Sequence, residues 1–230
     1  LTTVSKLQTS RCSNKPVRLW LAALAVALTT AMACVPVYAA GTILVFGDSL
    51  SAGYGLARAD GWVALLDARL KDRDADMTIV NASVSGETTA GGRARFDAAL
   101  DRTDPDIVIL ELGGNDGLRA LPVADMKANL VAMIDAARDA DSKILLLGMR
   151  IPANYGKRYS EQFHSAFNEI AQTKNMAYVP FFLAPIADDR SNFQDDGIHP
   201  NAAAQPAMLD AVWPTLAPLV DGLSQSPTGS

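Results

Sequence analysis

Five short apolar runs, rich in Val, Ile and Leu, recur along the chain at 42–46, 77–81, 107–112, 143–149 and 177–181. Runs of this length suit strands buried on both faces of a parallel sheet. Between them the period changes. Segments 62–70, 93–100, 123–138 and 160–174 have a helical character, and a last such segment, 203–216, closes the series. In 123–138 the apolar residues Met126, Leu130, Met133, Ile134 and Ala137 fall on one helical face. Alternation of strand and helix predicts a single doubly wound α/β sandwich. No internal repeat or long linker interrupts it. The polar, small-residue stretch 222–230 is expected to be a disordered tail.

The first forty residues do not fit that alternation. They hold Lys6, Arg11, Lys15 and Arg18 and no acid, followed by an apolar run over 19–40 that ends in small residues. This is the pattern of a secretory signal peptide, with cleavage expected after Ala39. An uncleaved membrane anchor and lipidation at Cys34 stay open as alternatives. The chain begins at Leu1 rather than Met, and the true start of the leader is left open. The expected products are a leader over 1–39, a domain over 40–221 and an exported location, periplasmic or secreted.

Charge and cysteine usage depend on that division. The whole chain has a net charge of −5. Without the four basic residues of the leader, 16 basic residues face 25 acidic ones, a net −9. Such an acidic domain lacks the basic footprint of a nucleic-acid binder. Both cysteines, Cys12 and Cys34, lie in the leader, so the domain has no disulfide, thiol nucleophile or thiolate metal site. It is expected to stand on its hydrophobic core, for which its length suffices, and to be a monomer without a stable membrane span after cleavage.

Open α/β sheets carry their sites beyond the carboxyl ends of the strands. The segment after each run here is small, polar and rich in Gly: GDSLS after the first, ASVSGET after the second, GGND after the third, RIPANYG after the fourth. His164 sits among helix formers and reads as an ordinary helix residue. His199 lies in DDGIHPN, a turn by its Gly197 and Pro200. Asp196, three residues earlier, is within one turn's reach of its ring.

A serine hydroxyl needs an adjacent base, and a histidine base works best when a carboxylate fixes its tautomer. Ser49, on a Gly-flanked turn after the first strand, is the candidate nucleophile; it would equally suit a helix N-cap. Gly86 and the side-chain amide of Asn115 are candidate donors to an oxyanion; a turn glycine and an Asx-turn are the plainer readings. The chain has no G-x-S-x-G, no phosphate-binding glycine loop and no H-E-x-x-H. With two histidines and no cysteine in the domain, zinc chemistry is disfavoured.

Taken together, GDSLSAGYG around Ser49, NASVSGETTAGG around Gly86, ELGGNDGLR around Asn115 and DDGIHPN around His199 resemble the GDSL, or SGNH, hydrolase family. The resemblance spans 41–220. It implies a flavodoxin-like three-layer α/β/α sandwich with a mostly parallel five-stranded sheet. It implies a triad of Ser49, Asp196 and His199, with Asp195 as the one ambiguity. It implies an oxyanion hole made by the main-chain N–H of Ser49 and Gly86 and the side chain of Asn115. The activity it implies is hydrolysis of acyl esters and thioesters, of the arylesterase, thioesterase or lysophospholipase type, through an acyl-serine and without metal or cofactor.

Substrate choice is expected to come from the loops. Leu118, Ala120, Leu121 and Pro122 are candidates to line an acyl groove, as are Ile151 and Pro152; Arg150 and Tyr155 are candidates to meet a polar head group. The expected partner is a small acyl ester or thioester, with a lysophospholipid as one such substrate. Two other functions stay in view. A carbohydrate O-acetylesterase of the same family calls for a small acyl pocket and aromatic platforms. A binding module with a decayed site calls for loss of Ser49, Asn115, Asp196 or His199, and all four are present.

Overall fold

The computed structural model describes residues 2–3 and 41–224. Apart from residues 2–3, the expected leader lies outside the described residues, and so do Cys12 and Cys34.

Five strands form one sheet: β1 (Gly41–Gly47), β2 (Met77–Asn81), β3 (Ile107–Glu111), β4 (Lys143–Leu147) and β5 (Ala177–Val179). Their order is β2-β1-β3-β4-β5 and every pairing is parallel. β1 is therefore interior to the sheet, with Ile43 opposite Ile107 and Gly47 opposite Glu111. Asp106 holds the lower end of this pair by accepting a hydrogen bond from the Thr42 amide at 2.7 Å.

Among the described residues seven α-helices connect or cover the strands: α1 (Ser49–Ala52), α2 (Trp62–Asp72), α3 (Thr89–Thr103), α4 (Gly114–Leu118), α5 (Val123–Asp139), α6 (Lys157–Lys174) and α7 (Gln205–Ser224). α2 packs on α7, while α3, α5 and α6 pack side by side. These are the two outer layers of a three-layer sandwich. β1 and β3 are fully apolar at their centres because both faces are covered: Ile43 to Phe46 and Ile107 to Leu110 have no accessible surface. Met126, Leu130, Met133, Ile134 and Ala137 are the buried stripe of α5, as its period predicts.

The sequence pattern places the ends of the last three strands too late. Leu112, Met149 and Phe181 lie beyond the last residues of β3, β4 and β5. Apolar character continues there because these side chains enter the core or the cleft above the sheet, not because the ladder does. α3 starts four residues before the expected 93–100, at Thr89. Thr88 caps it, its hydroxyl accepting from the Gly91 amide at 3.3 Å. Gly91 and Gly92 conceal this first turn from propensity. The tail also needs correction. α7 runs to Ser224, so 222–224 are helical rather than disordered, with Leu219 and Leu223 packed against the core. Residues 225–230 lie outside the described residues.

Candidate active site

An all-parallel sheet brings every strand's carboxyl end to one edge. In this strand order the crevice opens between β1 and β3, where the connections leave in opposite directions. Ser49 follows β1 and Asn115 follows β3. Gly47 allows β1 to end this close to β3. A Cβ there would lie 2.6 Å from Glu111 Oε2 and 2.9 Å from the Glu111 carbonyl. The chain then turns at Asp48, whose Oδ1 accepts from the Leu50 amide at 3.0 Å and caps α1. Ser49 thus opens a helix at the floor of the crevice, largely buried.

His199 arrives from the other end of the chain, on the loop between β5 and α7. The Asp196 Oδ1 atom accepts from the amides of Ile198 (2.9 Å) and His199 (3.0 Å) and shapes the turn. Its Oδ2 lies 2.6 Å from His199 Nδ1, and His199 Nε2 lies 2.9 Å from Ser49 Oγ. With the proton on Nδ1, the ring donates to Asp196 and accepts from Ser49. The hydrogen bond from His199, joined by the two amides, holds the Asp196 carboxyl down at about 2. Asp195 does not share this contact: its carbonyl accepts from Arg190 Nη2 at 2.9 Å.

Residues that sequence reasoning did not single out brace that loop. Arg190 also donates to the Phe193 carbonyl at 3.1 Å. Phe193 and Pro200 form an antiparallel bridge across the turn. Gln194 Nε2 donates to the carbonyls of Tyr54 (2.8 Å) and Pro200 (3.1 Å), joining the His199 loop to the Ser49 loop.

Gly86 sits on the loop after β2 with φ +80°, a conformation that favours glycine. Its carbonyl accepts from Arg119 Nη2 at 2.9 Å. Nearby, Arg95 holds the loop by its bond to the Ala82 carbonyl (2.7 Å) and its ion pair with Glu87 (2.5 Å). Asn115 lies at the start of α4, its Nδ2 donating to Asp48 Oδ2 at 3.0 Å. α4 is itself tied to α3: Asp116 accepts from the Thr89 amide (2.8 Å) and hydroxyl (2.6 Å).

Two acids beneath the site have displaced titrations. Burial raises the Asp48 carboxyl to about 6, against the opposing pull of its hydrogen bonds with Leu50 and Asn115. Glu111, fully buried on β3, is pushed well above the ordinary carboxyl range by burial and by the neighbouring Asp48 charge. Its Oε2 accepts from the Ser51 hydroxyl (2.7 Å) and the Asp48 amide (3.3 Å), while Oε1 has no partner among the described residues. Only the position of Glu111 at the end of an otherwise apolar strand marks it in the sequence.

A cleft of about 650 Å³ opens from Ser49 and His199. Of the expected substrate residues, Leu118, Arg150, Ile151 and Pro152 line it. Met149, Phe181, Leu183 and Phe193, not among the expected substrate residues, add to its apolar wall. Leu121 does not line it. The chain reverses at Ala120 (φ +49°), and the Leu121 backbone is fixed by Asp116 and Tyr159 away from the cleft. Ala120, Pro122 and Tyr155 are likewise outside the lining; the Tyr155 hydroxyl donates to the Leu118 carbonyl instead. His164 lies on α6 beside Arg150 and Asn168, apart from Ser49.

Among the described residues no helix is long and apolar enough to cross a membrane, and no group of three or more His, Cys, Asp or Glu could hold a metal ion.

Comparison with known proteins places the chain in a family. The profile of the GDSL-like Lipase/Acylhydrolase family matches residues 45–206. The chain is 50% identical over 182 residues to the esterase TesA of Pseudomonas aeruginosa, covering 79% of this chain and 90% of that protein. It is 40% identical over 183 residues to thioesterase 1/protease 1/lysophospholipase L1 of Escherichia coli, covering 80% and 86%. The crystal structure of the psychrotrophic esterase EstA from Pseudoalteromonas superposes with a TM-score of 0.75 at 40% identity, over 79% of this chain and 99% of that one. The chain therefore belongs to the GDSL-like lipase/acylhydrolase family, and is a serine hydrolase of acyl ester and thioester bonds.

Proposed function

We propose that Ser49 is the nucleophile, His199 the general base and acid, and Asp196 the carboxylate that orients the imidazole. The observation that carries this reading is the pair of contacts on the His199 ring, 2.9 Å to Ser49 Oγ and 2.6 Å to Asp196 Oδ2. His199 takes the Ser49 proton as Oγ attacks the acyl carbon. The carbonyl π pair moves to oxygen, and the amides of Ser49 and Gly86 with the remaining N–H of Asn115 receive that charge. His199 then delivers the proton to the leaving alcohol or thiol. A water molecule, deprotonated by the same ring, attacks the acyl-serine and regenerates the enzyme. In this reading His199 carries the proton transferred in each half of the cycle, and no metal or cofactor is called on.

The substrate class rests on the cleft. Its wall of Leu118, Met149, Ile151, Phe181 and Leu183 suits an alkyl chain, and Arg150 supplies a cation for a polar or anionic head group. A single-chain acyl lipid, such as a lysophospholipid, combines both features. A sugar platform has no tryptophan to draw on among the described residues: Trp62 is buried, and Trp213, on α7, lies under Arg69 and Arg73 at the end of α2. The enzyme acts after export, a reading supported by the basic and apolar leader over 1–39, with the catalytic domain beginning at residue 40.

The test is hydrolysis of p-nitrophenyl esters from C2 to C16, with Ser49→Ala alongside. A rate that disappears in Ser49→Ala and peaks at medium or long chains supports the reading. A rate that survives in Ser49→Ala overturns the triad, and a sharp optimum at C2 overturns the acyl-lipid assignment.

A further inference from the structure

Tyr54 presents a large ring to solvent directly beside the proposed base. It is 52% exposed, the most exposed of the large hydrophobic side chains among the described residues. Its ring centroid lies 4.4 Å from that of His199, with the planes inclined by 35°. The phenol hydroxyl makes no hydrogen bond to any described residue. Tyr54 does not line the acyl cleft. Its backbone, by contrast, is fixed on both sides. The amide donates to the Ser49 carbonyl at 3.1 Å and the carbonyl accepts from Gln194 Nε2 at 2.8 Å. Gly53 and Gly55, each at φ +73°, form the bends that flank it. The loop is thus built to hold this ring against His199, with the hydroxyl uninvolved.

Resting on the triad reading above, we propose that Tyr54 is a positioning residue whose π face orients the His199 ring and stabilises its protonated form during turnover. The imidazolium exists transiently between proton abstraction from Ser49 and delivery to the leaving group. An aromatic face within about 6 Å attracts such a cation. The other groups facing the ring are carboxylates: Asp196 at Nδ1, and Asp48 beneath Ser49, which His199 also feels electrostatically. Arg150, Asp188 and Arg190 line the cleft that His199 shares. Tyr54 adds a polarisable aromatic partner on the face of the ring, where the in-plane hydrogen bonds of Nδ1 and Nε2 do not act.

The experiment is a pH profile of kcat and KM on p-nitrophenyl butyrate for the wild type, Tyr54→Phe, Tyr54→Leu and Tyr54→Trp, with His199→Ala as control. Tyr54→Leu keeps an apolar cover and removes the π face. It is expected to move the acid limb of kcat/KM to lower pH by about 0.4–0.7 unit, and to lower plateau kcat about 2–5-fold at unchanged KM. Tyr54→Phe keeps the wild-type limb and rate, and Tyr54→Trp places the limb at or above the wild-type position. An unmoved limb in Tyr54→Leu overturns the proposal, as does a Phe variant that behaves like Leu. Turnover surviving in His199→Ala overturns the triad reading itself. A Leu profile equal to wild type, in an enzyme that His199→Ala inactivates, overturns only the role of Tyr54.

Discussion

Asn115 commits one of its two amide hydrogens to Asp48, Nδ2 standing 3.0 Å from Oδ2. The acid that caps the Ser49 helix therefore also sets the angle of the amide, leaving the second N–H for the crevice. Asn115→Ala removes that donor. It is expected to lower kcat on the order of 10²–10³-fold with little change in KM. Asp48→Asn turns an acceptor toward Asn115 into a group that can present N–H to N–H, so it should reproduce part of that loss. Steady-state kinetics on one ester, with circular dichroism to verify the fold, checks both.

Asp196 stays ionised throughout the working range, since its contacts hold it at about 2. The acid limb of activity is therefore not set by Asp196 itself. Asp196→Asn keeps the size of the group but disturbs the tautomer, and is expected to lower kcat by roughly 10²–10⁴-fold. The pH-rate profile and kcat of this variant measure both effects.

The buried acids predict a stability change of defined sign. Glu111 titrates higher in the folded state than its ordinary 4.5, so the folded protein holds more protons than the unfolded one above that pH. Its contribution favours folding at low pH and declines as pH rises from about 4.5 toward the raised folded value. Asp48 acts in the same direction between 3.8 and about 6. Asp196 acts oppositely, losing its stabilising contact as pH falls from 3.8 toward about 2. Glu111→Gln, isosteric with the neutral acid, should flatten the decline above pH 4.5. Urea midpoints from about pH 4.5 to 8 for wild type and variant test this.

Filling the cleft should shorten the preferred acyl chain. Leu183→Trp places an indole where methylenes are expected to lie. Excluding about three of them, at ~0.8 kcal/mol each, lowers kcat/KM for long esters roughly 50-fold. Short esters, which do not reach that wall, should keep their rate within a few fold. A series of p-nitrophenyl esters measured side by side reads out the change.

The strands and the long helices can be read from the sequence because burial on two faces, or on one stripe, writes itself directly into apolar spacing. α5 starts at the expected residue and ends one later for that reason. Ser49, Asp196 and His199 can be named because their chemistry needs particular residue types, and the fold brings those three into contact. Other features depend on distant parts of the chain. Nothing local to Glu111 tells that Ser51 and the Asp48 amide will satisfy it. Gln194 and Arg190 act through backbone carbonyls, which carry no side-chain signature. Leu121 is apolar and close in sequence to Asn115, but one left-handed residue, Ala120, sets its loop on another course. Tyr54 is visible in the sequence only as part of a motif, not as a neighbour of a histidine 145 positions later.

Ser49 and His199 are separated by 150 residues of chain yet touch at 2.9 Å. During synthesis Ser49 therefore emerges long before the ring it touches. At about 5–20 residues per second, this interval is roughly 8–30 s. Throughout it the nascent chain carries Ser49 without its ring partner, and the loop that carries His199 must still be made before the ring can be seated. On the proposed triad, hydrolytic activity thus reports synthesis past His199: a chain that stops anywhere between β4 and His199 has most of its sheet and no ring beside Ser49.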